Sequence, residues 1–134
     1  MGDVEKHNEQ IVRHFFATLS TGKLENLRPL LHKDATWDIM VRGIPGAGLK
    51  RGHKEILDDF LGPARGTFVE GDPKIHVEHL IAQGPCVAIE ARGTGHFKNG
   101  KEYLNQYAFF VEIKDDKVFR LHEYMDSYYI STLV

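Results

Sequence analysis

From residue 4 to residue 20 the apolar positions recur every three or four residues. Ile11, Val12, Phe15, Phe16 and Leu19 share one side, which predicts an amphipathic helix with Asp3 placed to cap its start and Gly22 just past its end. Leu24, Leu27, Leu30 and Leu31 predict a second helix over residues 24–31, kept short or bent by Pro29. Residues 35–41 alternate as a strand, and residues 43–52, with four glycines and a proline, predict a loop. Residues 54–61 predict a third helix, stopped by Gly62 and Pro63. Strands follow at 75–82, 87–97, 102–113 and 118–125, separated by Gln83-Gly84-Pro85, Lys98-Asn99-Gly100 and Asp115-Asp116. Such short turns imply an antiparallel meander. Helices first and strands after predict an α+β domain with helices on one face of the sheet.

Parity splits each strand into two faces. In the last strand Phe119, Leu121, Glu123 and Met125 share a face, so a carboxylate stands in an apolar row, where an unpaired charge is costly. In the preceding strand Tyr103, Asn105, Tyr107, Phe109, Val111 and Ile113 share a face. The strand before that carries a small apolar face, Val87, Ile89, Ala91, Gly93 and Gly95, and a polar one, Ala88, Glu90, Arg92, Thr94 and His96. Periodicity alone leaves open which of these two meets the helices.

The chain has 134 residues, 42% hydrophobic and 27% charged, with net charge −2. This fits a single domain over residues 1–134 with one core. Near neutrality supplies no broad field for nucleic acid. The polar start and the lack of a long apolar run predict no signal peptide and no membrane span. The lone Cys86 excludes an intramolecular disulfide and points to a reducing compartment, so the expected location is cytoplasmic. No metal or cofactor is expected. Of the eight histidines, His76 and His79 stand three apart on a strand and should face opposite ways, and no zinc or nucleotide-binding spacing occurs. Lys50, Arg51 and Lys54 cluster near the start of the third helix, where a solvated loop or a contact with an anionic ligand would each explain them.

The run from Glu90 to Asp126 carries Asn99-Gly100-Lys101, Tyr103-x-Asn105-x-Tyr107 and Glu123-Tyr124-Met125-Asp126. With the earlier stretch from Asp34 to Ile39 and the Gly22-x-Leu24 turn, it resembles the SnoaL-like branch of the nuclear transport factor 2-like superfamily over nearly the whole chain. That superfamily includes ketosteroid isomerases, limonene epoxide hydrolase-like enzymes, scytalone dehydratase-like enzymes and polyketide cyclases. The resemblance implies three N-terminal helices packed on a strongly curved, mainly antiparallel sheet, forming a cone with a small-molecule pocket at its open end. It specifies fold better than reaction.

In the family register Glu123, Asn105 and Tyr107 face the pocket, together with Glu90 and Arg92. Trp37 and Ile39 enter from the first strand and Phe15 from the first helix. Phe109, Leu121 and Met125 complete the apolar wall. The residues of the ketosteroid isomerase mechanism, which is itself a standard example of pKa tuning, fall on Phe15, Ile39 and Phe109. None of these moves a proton, so that mechanism is not expected. Asp38 lies one position from the base and parity points it away from the pocket.

The implied catalytic set is therefore Glu123, Arg92 and Glu90. Glu123 serves as general acid or base, unless it merely forms a structural pair with Arg92. The expected ligand is a small apolar or polyketide-like molecule. The reaction would be a cofactor-free isomerisation, dehydration, cyclisation or hydrolysis. The alternative is a non-catalytic ligand-binding or dimerisation module. Leu104, Ala108 and Phe110, on the opposite face, would make the homodimer that the resemblance implies.

Overall fold

The apolar stripe of the first segment folds into α1, Asp3–Ser20, which buries Val12, Phe15, Phe16 and Leu19. This is a computed structural model, and it describes residues 2–134. The second predicted helix divides in two, α2 (Leu24–Leu27) and a single 3₁₀ turn (Arg28–Leu30) that accommodates Pro29. Strand β1, Leu31–Ile39, starts earlier and ends sooner than its alternation suggested.

The glycine-rich stretch is not loop throughout. It contains β2, Gly48–Arg51, which pairs antiparallel with β1. A π-helix, Lys54–Leu61, continues directly into α3, Gly62–Arg65. The expected Gly62-Pro63 stop does not stop the chain. Pro63 stands where the π-helix gives way to α3, with the residues on either side of that junction kept in helical conformation. The result carries Arg65 one turn beyond the predicted end of the helix.

The remaining strands are β3 (Lys74–Gln83), β4 (Cys86–His96), β5 (Glu102–Lys114) and β6 (Lys117–Met125). They form the expected antiparallel meander. The six-stranded sheet has the order β2-β1-β6-β5-β4-β3, in which β1 joins β6 in parallel. A short α4, Ser127–Ser131, follows β6, with Asp126 Oδ1 accepting from the Tyr129 amide at 3.0 Å. The inner sheet face and α1 enclose one core that includes Trp37, Phe109, Val111 and Leu121.

Two irregularities overturn simple alternation. The pairing of β3 with β4 shifts between Val77 and His79, so His76 and His79 are both exposed, the former bonded to Thr94 and the latter beside Glu90. A second shift, between Glu112 and Ile113, buries Val118 at the start of β6 and moves Phe119 off the Glu123 face, against His32. Among the described residues no helix is long and apolar enough to cross a membrane.

Candidate functional site

Trp37 and Ile39 of β1 and Glu123 of β6 share the concave face because the two strands run parallel, with Trp37 opposite Leu121 and Ile39 opposite Glu123. Phe60 and Leu61 from the π-helix, Arg65 from α3, and Tyr103, Tyr107 and Phe109 from β5 close around them. The cavity is about 270 Å³, open to solvent, and its wall is overwhelmingly apolar. Trp37 meets Phe60 edge-on at 6.0 Å, and Tyr107 stacks on Phe109 at 5.4 Å.

Glu123 is 7% exposed. Its Oε1 accepts from Trp37 Nε1–H at 2.9 Å, and its Oε2 has no protein partner among the described residues. Burial pushes the carboxyl up to about 7, an effect partly offset by the indole N–H and by the charge of Lys50. Near neutral pH the group is therefore divided between acid and base forms, the condition under which one carboxyl can both take and return a proton.

Lys50 stands beside the cavity, over the ring of Phe60 that lines it. Its ammonium is bonded to the Gly46 carbonyl and, at 2.8 Å, to the Gly48 carbonyl, and it sits 4.7 Å from the centre of the Phe60 ring. Burial lowers its pKa, and Glu123 and Asp38 pull it back up.

On the opposite wall Asn105 Nδ2 donates to Tyr103 Oη at 3.1 Å, and the Tyr103 and Tyr107 hydroxyls share a short hydrogen bond. Burial pushes Tyr103 up to about 12 and Tyr107 well above its usual value, so both stay protonated and able to donate.

Of the residues singled out in the sequence, Trp37, Ile39, Tyr107, Phe109, Glu123 and Met125 line the cavity. Glu90 and Arg92 do not. They project from the outer face of β4, where Glu90 lies 3.2 Å from His79 in solvent. The small face of β4 turns inward instead, because the Tyr103 and Tyr107 rings fill the space above Gly93. Outside, the two charges keep their hydration. The expected Glu123–Arg92 pair is therefore absent, and Lys50 supplies the cation.

Three further placements are corrected. Phe15 is wholly buried under Trp37, one helical turn below Leu19, which does reach the cavity. Leu121 is buried beside Trp37, two residues deeper than Glu123. Asn105 is buried behind Tyr103, its amide donating to Tyr103 and its Oδ1 accepting from the Gln106 amide at 2.8 Å, so it orients the tyrosine pair from behind. Asp38 alternates away from Trp37 and Ile39 and does not reach the cavity. Arg65 and Tyr103 are the cavity residues that sequence reasoning missed, and Lys50 was singled out only as one of a basic cluster. The apparent helix stop at Gly62-Pro63 concealed Arg65.

No functionally curated protein matches the chain. Solved structures share its architecture. A nuclear transport factor 2-like protein from Burkholderia xenovorans LB400 is 27% identical over 98% of both chains, with a TM-score of 0.76. TerC, crystallised with polyporic acid, is 19% identical over 95% of this chain and 97% of its own, with a TM-score of 0.82. A protein from Jannaschia sp. CCS1, assigned as a candidate SnoaL-like polyketide cyclase, is 15% identical over 98% of this chain and 94% of its own, with a TM-score of 0.80. The SnoaL-like domain profile matches residues 12–121. With the curved sheet, its helices and the cavity between them, that match identifies the chain as a member of the SnoaL-like domain family, within the nuclear transport factor 2-like fold.

Proposed function

We propose that this protein binds a small apolar, polyketide-like ring compound and moves a proton on it with Glu123 as general acid/base, without a cofactor. The observation that carries this reading is the Glu123 carboxyl, buried in an apolar cavity, with one oxygen uncommitted and its protonation midpoint pushed up to about 7. Tyr107 holds the substrate oxygen that gains charge as the proton leaves carbon, and the Asn105–Tyr103 bond fixes the tyrosine pair. Isomerisation, dehydration, cyclisation and hydrolysis all use such a step. The assignment of the Jannaschia protein supports the polyketide-like class, and the crystallisation of TerC with polyporic acid supports a ring compound.

The test is deuterium incorporation at the α-carbon of 2-tetralone in D2O, followed by NMR. The expected result is exchange that rises with pH to a plateau above about 7 and disappears in Glu123→Gln. Exchange no faster than buffer alone overturns the catalytic reading. The alternative is a receptor without turnover, for which the occupied Oε1 of Glu123 speaks as a structural bond. Binding of the ketone without exchange would support it.

The homodimer belongs to the same proposal. Leu104 and Phe110, about half exposed on the outer sheet face, are its contact residues, and light scattering giving a monomer removes it. A cytoplasmic setting, consistent with the free Cys86, completes the reading.

A further inference from the structure

Arg65 is the cavity cation for which the proposed chemistry finds no use. A guanidinium carries five N–H donors. Among the described residues this one makes a single hydrogen bond, from Nη2 to the Pro73 carbonyl at 2.9 Å. Its Nε is buried with no acceptor in the protein. No carboxylate among the described residues lies within ion-pair distance of it. The one carboxylate whose charge it feels is Asp72, behind Tyr107 in strength, and Asp72 Oδ2 already accepts from the His96 amide at 3.0 Å. Arg65 also lines the same cavity as Glu123, Tyr103 and Tyr107. Nε itself is closed off, but the terminal N–H donors that Pro73 does not take have no partner among the described residues, and a ligand oxygen in the cavity would gain a charge-assisted bond from them. Arg65 lowers the pKa of Tyr107 but has no resolved influence on Glu123, which places its field at the tyrosine side of the cavity.

We propose that Arg65 is an anion-recognition residue, and that the cavity selects a planar organic anion whose charged oxygen meets the Arg65 guanidinium while its apolar rings lie against Trp37 and Phe60. This rests on the reading of the cavity as a ligand pocket and narrows its substrate class from apolar compounds to ring carboxylates, phenolates or enolates. The size agrees. A bicyclic body of roughly 150 Å³, at an interior packing density of about 0.75, fits a cavity of about 270 Å³. An anion without Arg65 would carry its full desolvation cost into an apolar wall.

Paired calorimetric titrations with 2-naphthoate and 2-naphthamide, near pH 6 where Glu123 is mainly neutral, test the proposal. The wild type should bind the carboxylate at least ~10-fold more tightly than the amide, the scale of one charge-assisted contact. Arg65→Met should reduce that preference to less than ~2-fold, by weakening the carboxylate far more than the amide. Arg65→Lys keeps the charge without the planar fork and should retain part of the preference, which covers the case in which the methionine variant fails to fold.

Equal affinity for both ligands in the wild type overturns the proposal, as does equal weakening of both by Arg65→Met. Loss of the preference in Lys50→Met instead would place the anion at Lys50 and also overturns it. Binding of neither ligand overturns it too. The neutral 2-tetralone assay keeps the two readings apart. Exchange without an anion preference defeats only the Arg65 assignment, and a preference without exchange defeats only the Glu123 chemistry.

Discussion

Trp37 donates its indole N–H to Glu123 Oε1 at 2.9 Å, across two parallel strands whose order no turn length announces. The bond favours the ionised carboxylate, against the burial that opposes it. Trp37→Phe keeps an aromatic ring and removes the donor. The Glu123 midpoint should rise above about 7 in the variant, read by carbon-13 NMR of the carboxyl. Destabilisation should be larger near pH 8, where a charge-assisted bond worth about 1.5–3 kcal/mol is lost, than near pH 5, where the lost bond is to a neutral acid. Equal losses at both pH values would contradict the assignment.

The same carboxyl predicts how folding stability responds to pH. Its folded midpoint, about 7, lies above the ordinary 4.5. Between these values the folded state binds more protons than the unfolded one, so stability falls as pH rises through that window. The stabilising contribution is complete below about pH 4.5 and gone above about pH 7, for a total of about 3 kcal/mol at 1.4 kcal/mol per unit. Glu123→Gln retains an acceptor for Trp37 and removes the titration. Urea denaturation of the two proteins from about pH 4 to 8 should show the wild type losing that amount relative to the variant.

Lys50, and not Arg92, is the charge that Glu123 feels. Lys50→Met should therefore raise the Glu123 midpoint further, and the pH profile of any Glu123-dependent exchange should move up with it. Arg92→Ala and Glu90→Ala should leave that midpoint unmoved and change stability by no more than about 0.5 kcal/mol, as usual for exposed positions. A shift in the Arg92 variant would mean that β4 presents its polar face to the cavity.

These outcomes turn on how far side-chain parity can be trusted. Parity in the last strand was enough to single out Glu123 as a carboxylate in an apolar row, because β6 is regular from Leu121 to Met125. The turn residues between β3, β4, β5 and β6 were equally legible, since each connection is short and local. The family register misplaces Glu90 and Arg92 because it takes no account of the volume of the neighbours. The face carrying Ala91 and Gly93 is small because tyrosine rings from β5 cover it. The parallel pairing of β1 with β6 depends on partners more than 80 positions apart and left no local signal. Arg65 was hidden by Gly62, which reads as punctuation but stands inside an ordered element, and the strand that carries Lys50 was read as a glycine-rich loop.

Gly93 is where that crowding is most severe. A Cβ there would stand 2.6 Å from Tyr107 Cε2 and 3.4 Å from Tyr103 Cε2. Neither ring retreats easily, because Tyr107 is stacked on Phe109 and hydrogen-bonded to Tyr103. The backbone of Gly93 lies outside the left-handed region, so alanine brings no conformational strain and the effect is purely steric. Gly93→Ala should cost about 1–3 kcal/mol in urea denaturation, the usual penalty of an overpacked core. It should also force the Tyr107 ring towards the cavity and break its bond to Tyr103, so binding of a bicyclic ligand weakens in the same variant. Tyr107→Ala removes the obstructing ring. In the double variant Gly93→Ala should then cost much less than in the wild-type background, and a double-mutant cycle measures that coupling. Strictly additive losses would mean that the two residues do not collide.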